Sequence, residues 1–342
     1  MNPASKPSRI RGLDTLRFIA AMWVVFSHFG FLPLFDGVDK THLPTLIVRG
    51  VYGNLFAGPA AVMVFFLISG FCIHYPYCRP DSFQPEPYFA RRYLRIGMPM
   101  LAAMALARPL HVELHFFQLS ILWSLVAELI YYTLYPWLRR LWARFGWGKI
   151  LSGAYLLALA TLCLHPQAPD YDPFGNSLNW IMGLPVWLLG CRLAENIQAA
   201  PPLTVSTRQI WSWRLGIWGL ASVASGLRFH SPIGYPWTLL AFSGLVYFWV
   251  EREIHFFQMN RPWRWLEWMG QWSYSIYLTH LIANAAYQQY LPWQLDKYTY
   301  FFIRTGWILA AAYIFYLLVE KPAHLLARWM ARALRREPVG AE

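Results

Sequence analysis

The sequence predicts an all-α integral membrane protein with about ten transmembrane helices and with both termini in the cytoplasm. Three observations support this fold class: the composition, a series of long apolar runs, and the position of the basic residues between them. Of the 342 residues, 57% are hydrophobic and only 13% are charged. One soluble core cannot bury that much apolar surface, so we expect lipid to cover part of it.

The apolar runs set the number of predicted spans. A transmembrane helix needs about 20 mostly apolar residues, because the hydrocarbon layer is about 30 Å thick and each helical residue rises about 1.5 Å. The third run is the weakest, since Arg108 ends it early, and it is predicted either to tilt or to continue to Leu110. The ten runs lie near 14–34, 54–75, 97–110, 120–138, 149–165, 178–195, 211–228, 235–251, 272–291 and 300–319.

The basic residues indicate the orientation. With a cytoplasmic N-terminus, 23 of the 29 Lys and Arg residues fall in segments predicted to lie inside, as the positive-inside rule requires. The net charge of +12 therefore indicates topology and not nucleic-acid binding, because the charges occur in short clusters between apolar runs. Residues 1–9 carry no cleavage site, so the first span is predicted to remain in the protein.

The remaining chain-wide features predict one membrane domain over residues 1–342. Its core extends over about 9–325, and 326–342 form a basic cytoplasmic tail. No disulfide framework or zinc site is predicted, since the cysteines lack paired spacing. The sequence His111-Val-Glu-Leu-His115 also lacks the order of a zinc-hydrolase motif, and no metal is predicted. The four cysteines are Cys72, Cys78, Cys163 and Cys191.

The first span carries two ionisable side chains, Arg17 and His28. Eleven residues at about 100° each come to three turns plus about 20°, so both lie on one helix face, roughly 16 Å apart along the axis. This arrangement suits a long anionic substrate that enters from the cytoplasm and meets a proton acceptor within the bilayer. Alternatively, Arg17 only obeys the positive-inside rule and His28 bonds a neighbouring backbone group.

A second basic cluster, Arg91-Arg92-Tyr-Leu-Arg95, follows the second span. If it is helical, Arg92 and Arg95 are at i, i+3 and Arg91 and Arg95 at i, i+4, so the three guanidinium groups converge. The planar guanidinium group suits bidentate binding of phosphate. A topology-setting cluster at the membrane surface is the alternative interpretation.

Two further polar residues occur within predicted spans. Ser124 and Glu128 share a helix face, and a carboxylate there must find a partner, become protonated or line water. Glu128 could orient His28 or pair with an arginine. His280 in the ninth run is more often an interhelical hydrogen-bonding residue than a substrate contact.

Together these residues resemble the acyltransferase-three family of integral membrane O-acyltransferases. The resemblance rests on the first span with Asp14, Arg17 and His28, on Arg92-x-x-Arg95, and on further stretches from about residue 9 to 325. The further stretches are Phe65-Phe-Leu-Ile-Ser69-Gly70-Phe71, Leu122-Trp123-Ser124-Leu-Val-Ala-Glu128, Ser273-Tyr-Ser-Ile-Tyr277-Leu-Thr-His280 and Val319-Glu320-Lys321-Pro322.

The resemblance implies transfer of an acyl group, usually acetyl from acetyl coenzyme A (acetyl-CoA), onto a hydroxyl of a surface polysaccharide or a lipid-linked glycan. It implies that His28 is essential and that Arg17, Arg92 and Arg95 serve the donor. We also expect Arg91 in the donor site, because it converges with Arg95, and Glu128 among the catalytic residues. Whether His28 is a general base or a covalent acyl carrier stays open. The resemblance further implies supporting roles for Asp14, Ser69, Trp123, Ser124 and His280.

These implications extend to partners and location. We expect no tightly bound cofactor, contact with membrane lipid but not nucleic acid, and residence in a bacterial cytoplasmic membrane. A separate soluble partner is compatible with the sequence. A transporter or flippase that uses His28 and Glu128 as a proton relay is the alternative function.

Overall fold

The structure, a computed structural model, describes residues 10–35, 42–78, 83–114, 120–291 and 294–335. The predicted all-α class is confirmed, since no strand occurs in these ranges. The described helices are α1 (Leu13–Phe29), α2 (Leu43–Gly53), α3 (Gly58–His74), α4 (Pro85–Ala107), α5 (Trp123–Leu162), α6 (Gly175–Ala199), α7 (Thr207–His230), α8 (Tyr235–Met259), α9 (Arg264–Gly270), α10 (Ser273–Tyr290), α11 (Lys297–Phe315) and α12 (Lys321–Ala333).

Each of the ten predicted runs overlaps a helix, while α2, α9 and α12 lie outside them. The fourth and fifth runs both fall in α5, which bends where Gly146 adopts a φ of 75°. By length and composition, three stretches in the described ranges are able to cross a membrane: Leu43–Tyr77, Trp123–Leu162 and Lys297–Ala333. The protein is therefore helical with membrane-spanning character, and the number of ten spans stays a prediction.

Some predicted features lie outside the described residues. They include the end of the basic tail, 336–342, and His115 of the histidine pair. The basic residues Lys6, Arg9, Lys40, Arg79 and Arg336, which contribute to the predicted orientation, also lie there. Within the described part of the tail, residues 326–333 form the end of α12.

Helix α4 begins earlier than the third predicted run. It starts at Pro85, which fits the first turn because proline lacks the N–H that would have no partner there. Tyr88, Arg92 and Ile96 follow at intervals of four and are all buried, so this face packs against the bundle. The helix has 23 residues and includes the arginine cluster, which is helical as the convergence of its side chains requires.

Two glycines bring α3 and α6 into backbone contact. A Cβ atom on Gly70 would lie 1.9 Å from the carbonyl oxygen of Trp187, and one on Gly190 would lie 2.0 Å from that of Leu67. No side chain fits at either position without separating the helices. Small residues at a crossing allow such close approach between helices in a membrane, and this crossing fixes the helix that carries Ser69.

The start of α1 is held by a carboxylate from α9. One oxygen of Glu267 accepts hydrogen bonds from the backbone N–H groups of Gly12 and Thr15 at 3.1 and 3.0 Å, and from the Thr15 hydroxyl at 2.8 Å. Gly12, with φ 85°, has no side chain to cap the helix itself. Glu267 therefore supplies the cap and a negative charge where the helix dipole favours one.

A buried histidine joins α3, α5 and α6. His74 is 1% exposed, its Nδ1 lies 2.9 Å from the Tyr135 hydroxyl, and its Nε2 lies 3.0 Å from a Glu195 oxygen. The second Glu195 oxygen accepts from the Trp147 indole at 2.6 Å, one residue after the bend of α5. This network fixes the bend against α6 and does not line the cavity described below.

Candidate active site

A cavity of about 580 Å³ lies among α1, α3, α4, α5, α10 and α12. It extends along α10 from the first turn at Ser273 as far as Tyr277. The polar side chains that line it include five arginines and three carboxylates. The arginines are Arg17, Arg91, Arg92, Arg95 and Arg328, and the carboxylates are Asp14, Glu128 and Glu320. The structure therefore brings the four predicted donor-site arginines together.

Arg92 lies inside this cavity with one buried donor atom that has no partner among the described residues. Its side chain is buried, with 7% of the residue exposed, and its Nε has no hydrogen-bond acceptor among the described residues. Buried charged groups are ordinarily paired, because removal from water costs several kcal/mol per ion. An unpaired guanidinium that faces a cavity is therefore suited to an anion from outside the chain.

Arg17 is held in place by two neighbours. Its Nη1 donates to Asp14 at 2.9 Å, one turn earlier in α1, and its Nη2 contacts the Cys72 sulfur of α3 at 3.1 Å. Asp14 is itself buried and belongs to the turn that Glu267 caps. The predicted supporting residue Asp14 thus orients Arg17.

Glu128 lines the same cavity and belongs to a hydrogen-bond network with α3. One of its oxygens accepts from the Tyr132 hydroxyl at 3.2 Å, and that hydroxyl lies 3.1 Å from Ser69 Oγ. No hydrogen bond joins Glu128 to His28 among the described residues. The sequence suggests that Glu128 either orients His28 or pairs with an arginine. Its place in the arginine cavity fits the second role and not the first.

Tyr277 and Ser124 lie together at one end of the cavity lining. The Tyr277 hydroxyl donates to the carbonyl oxygen of Ile121 at 2.8 Å, so the Ser124 hydroxyl, 2.7 Å away, is the donor to Tyr277. The Tyr277 ring also packs edge-on against Phe65, with centroids 5.8 Å apart.

His28 does not line the arginine cavity. It is exposed near the end of α1, and its ring centroid lies 5.1 Å from that of His280. His280 is in turn 6.1 Å from the Tyr277 ring. The structure thus separates His28 from the arginines, with Tyr277 and His280 of α10 between them.

His280 is fully buried, and its Nδ1 lies 2.7 Å from the carbonyl oxygen of Tyr277. The carbonyl only accepts, so Nδ1 carries a proton, and Nε2 of the neutral ring is a lone-pair acceptor. In the described ranges Nε2 has no hydrogen-bond partner. This histidine is therefore not the fully satisfied interhelical residue that the sequence favours.

The unpartnered groups continue along α10 beyond His280. Asn284 and Tyr287 follow at helical spacing, and the Asn284 Oδ1 and the Tyr287 hydroxyl are buried without partners in the described part of the chain. Arg304 of α11 donates to the carbonyl oxygen of Phe29, the residue after His28, while its own Nε is unpartnered. Sequence reasoning missed this polar stripe, although polar residues at i, i+4 and i+7 in an apolar run would have indicated it.

Trp123, another predicted supporting residue, does not line the cavity. Its ring stacks on Tyr171 at a centroid distance of 5.1 Å and meets Phe66 edge-on at 5.9 Å. Phe66 is a lining residue, so Trp123 contacts the cavity wall from behind.

Comparison with known proteins decides the family. The family model described as an acyltransferase domain matches residues 10–319. The chain belongs to this family of acyltransferases. The matched segment includes the cavity residues from Asp14 to Tyr316, but Glu320, His324 and Arg328 lie beyond it. The predicted family resemblance is confirmed.

One curated relative of this acyltransferase is Nodulation protein 10 of Rhizobium leguminosarum bv. viciae. The two chains are 29% identical over 236 residues, which is 55% of this chain and 60% of the relative. The match thus spans less than two thirds of that protein. No solved structure matches the chain significantly.

Proposed function

We propose that the protein transfers an acetyl group from acetyl-CoA to a hydroxyl of a carbohydrate or lipid-linked glycan. The ten predicted spans and the charge asymmetry support a cytoplasmic position for both termini and residence in a bacterial cytoplasmic membrane. Helix α1 then starts at the cytoplasmic side, with Arg17 near that side and His28 towards the opposite one. The donor enters from the cytoplasm, and the acceptor reaches His28 from outside or from the lipid.

The unpartnered guanidinium of Arg92 is the observation that carries this proposal. CoA brings several phosphate charges on one end and a thioester on the other. Arg92, Arg95 and Arg17 converge on one cavity, and guanidinium groups bind phosphate in bidentate geometry. The arginines hold the phosphates, and the arm of CoA extends along α10 towards Tyr277.

The reaction requires the acyl group to meet the acceptor hydroxyl. A displacement of the Tyr277 side chain joins the arginine cavity to the region of His28. His28 removes the proton of the hydroxyl, whose oxygen bonds to the acyl carbon while the carbon–sulfur bond breaks. The CoA thiolate finally takes the proton, so the products are the ester and free CoA.

The polar stripe beside His28 supports a hydroxyl-rich acceptor. His280, Asn284, Tyr287 and Arg304 offer both acceptors and donors that lack partners in the described chain, as a sugar ring requires. The alternative of proton-coupled transport through His28 and Glu128 receives less support. The two residues lie on opposite sides of Tyr277, and Glu128 bonds Tyr132 instead.

The test is transfer of radiolabelled acetyl from acetyl-CoA by purified protein supplied with glycolipid extracted from the producing bacterium. We expect the wild-type protein to label the glycolipid. His28→Ala should lose transfer while it retains CoA binding. Tyr290→Phe, at an exposed position on α10, is the control and should transfer acetyl as wild type does. Wild-type activity in His28→Ala would refute the role of His28. Sugar or ion transport without consumption of acetyl-CoA would refute acyl transfer.

A further inference from the structure

The donor-site arginine Arg95 is oriented by a histidine from α12. The Nε of Arg95 donates to the Nε2 of His324 at 2.9 Å. Arginine has no acceptor atom, so His324 must accept with a lone pair and carry its proton on Nδ1. This contact occupies Nε and leaves both Nη groups of Arg95 for a ligand.

The charges around His324 favour this acceptor role. Arg91 and Arg95 approach it from α4, Arg328 from α12, and Arg17 from α1, and Glu320 is a nearby carboxylate. A protonated His324 would add a further positive charge to this group and could no longer accept from Arg95. The uncharged ring is therefore the form that fits the site.

Glu320 fixes the segment that carries His324. It is 1% exposed, and one of its oxygens accepts from the backbone N–H and the hydroxyl of Ser275 at 3.2 and 2.5 Å. Its other oxygen lies 3.5 Å from His324 Nε2, one turn further on. The carboxylate thus ties the start of α12 to the first turn of α10.

The local helix geometry explains how both residues reach the cavity. Residues Tyr316–Glu320 form one turn of π-helix, a π-bulge. Such bulges are rare, rotate the helix that follows, and are frequent at functional sites. After it, Ala323, Ala327 and Ala331 are buried at intervals of four. These small side chains permit close packing of α12, and His324 emerges next to Ala323.

We propose that His324, on a segment that Glu320 fixes through Ser275, is a positioning residue for Arg95 and sets the affinity of the donor site for the phosphates of CoA. The proposal rests on the proposed function, because it assigns the arginine cavity to CoA. It adds to the site a pair of residues outside the segment that matches the family. Neither residue needs to touch the reacting atoms.

The test measures binding of CoA to purified full-length protein in lipid nanodiscs by calorimetry. His324→Ala removes the acceptor, and the loss of a hydrogen bond from a charged donor should weaken binding about tenfold. His324→Gln keeps an acceptor oxygen near the same place and should restore affinity to within about threefold of wild type. His324→Leu fills a similar volume without an acceptor or a charge, and it should bind CoA as weakly as His324→Ala.

Two further measurements separate positioning from folding. Ser275→Ala removes the hydroxyl that donates to Glu320 without changing the charge of the cavity, and it should weaken CoA binding without loss of the folded protein. His165→Ala is an exposed control outside the cavity. In the transfer assay, His324→Ala should raise KM for acetyl-CoA and leave kcat within about twofold. The inference is overturned if His324→Ala binds CoA as wild type does, or if His324→Leu matches His324→Gln. A wild type that binds no CoA overturns the proposed function as well.

Discussion

Replacement of Arg92 by methionine should stabilise the protein without ligand and weaken its affinity for CoA. Leaving a buried polar group without a hydrogen bond costs about 1–3 kcal/mol, and this site holds a charged group with an unpartnered Nε. Methionine fills a similar volume without a charge. We therefore expect the free energy of unfolding to rise by about 1–3 kcal/mol in the absence of CoA.

The same substitution removes one of the proposed phosphate contacts. A hydrogen bond to a charged group contributes about 1.5–3 kcal/mol, which corresponds to roughly 10- to 150-fold in the Kd for CoA. The two effects have opposite signs, which separates a ligand-binding arginine from a structural one. An arginine that stabilised the fold would instead lower the melting temperature when replaced.

Thermal unfolding in nanodiscs, followed by tryptophan fluorescence, provides the assay. We expect the Tm of Arg92→Met to rise by about 2–5 °C without ligand, and to respond to CoA only at concentrations roughly 10- to 150-fold higher than wild type requires. Wild-type Tm should rise with CoA concentration, because the ligand binds only the folded state. Arg140→Met, an exposed basic position outside the cavity, is the matched control. A lower Tm for Arg92→Met together with an undiminished response to CoA would refute the reasoning.

Three other substitutions test the architecture around the cavity. Gly190→Ala should cost more than about 2 kcal/mol of stability in thermal unfolding, since its Cβ would lie 2.0 Å from the Leu67 carbonyl oxygen. Gly153→Ala is the control, because no atom lies near the added methyl group, and it should change Tm by less than about 1 °C. Equal Tm values for the two variants would contradict the close crossing of α3 and α6. Glu267→Ala removes the cap of α1 and should lower stability by about 0.5–2 kcal/mol and weaken CoA binding. An unchanged CoA affinity in calorimetry would exclude an effect of this cap on the donor site. Tyr277→Phe loses two hydrogen bonds and should increase the hydrolysis of acetyl-CoA, measured as free thiol released in the absence of acceptor. A hydrolysis rate equal to that of wild type would show that Tyr277 does not separate the donor from water.

Sequence periodicity was sufficient to predict that the arginines of α4 converge. Arg92 and Arg95 converge because three residues advance a helix by nearly one turn, and α4 is helical through both. Buried polar residues in apolar runs, such as Glu128, are so costly in a membrane that their position alone indicates a polar cavity. These inferences need only the geometry of a single helix.

The relation between Arg17 and His28 could not be predicted in the same way. A helical projection gives the angle between two side chains but not which neighbouring helix packs against each. Here α10 places Tyr277 and His280 next to His28, and α3 places Cys72 next to Arg17. The same helix face therefore meets two different environments.

Two of the missed residues come from helices outside the predicted spans. Glu267 lies on the seven-residue helix α9, and His324 lies on α12, whose start is rotated by a π-bulge. Neither segment forms an apolar run, so a search for spans passes over both. Their contribution depends on contacts between distant parts of the chain, which a single sequence does not reveal.

The position of CoA in a cryo-electron microscopy structure of the protein in nanodiscs tests the central claim most directly. The account predicts phosphate density against Arg92, Arg95 and Arg17, with the arm of CoA running along α10 towards Tyr277. It also predicts that the same density is absent from a matched map of Arg92→Met. Phosphate density outside the arginine cavity, or an arm that points away from Tyr277, would contradict it.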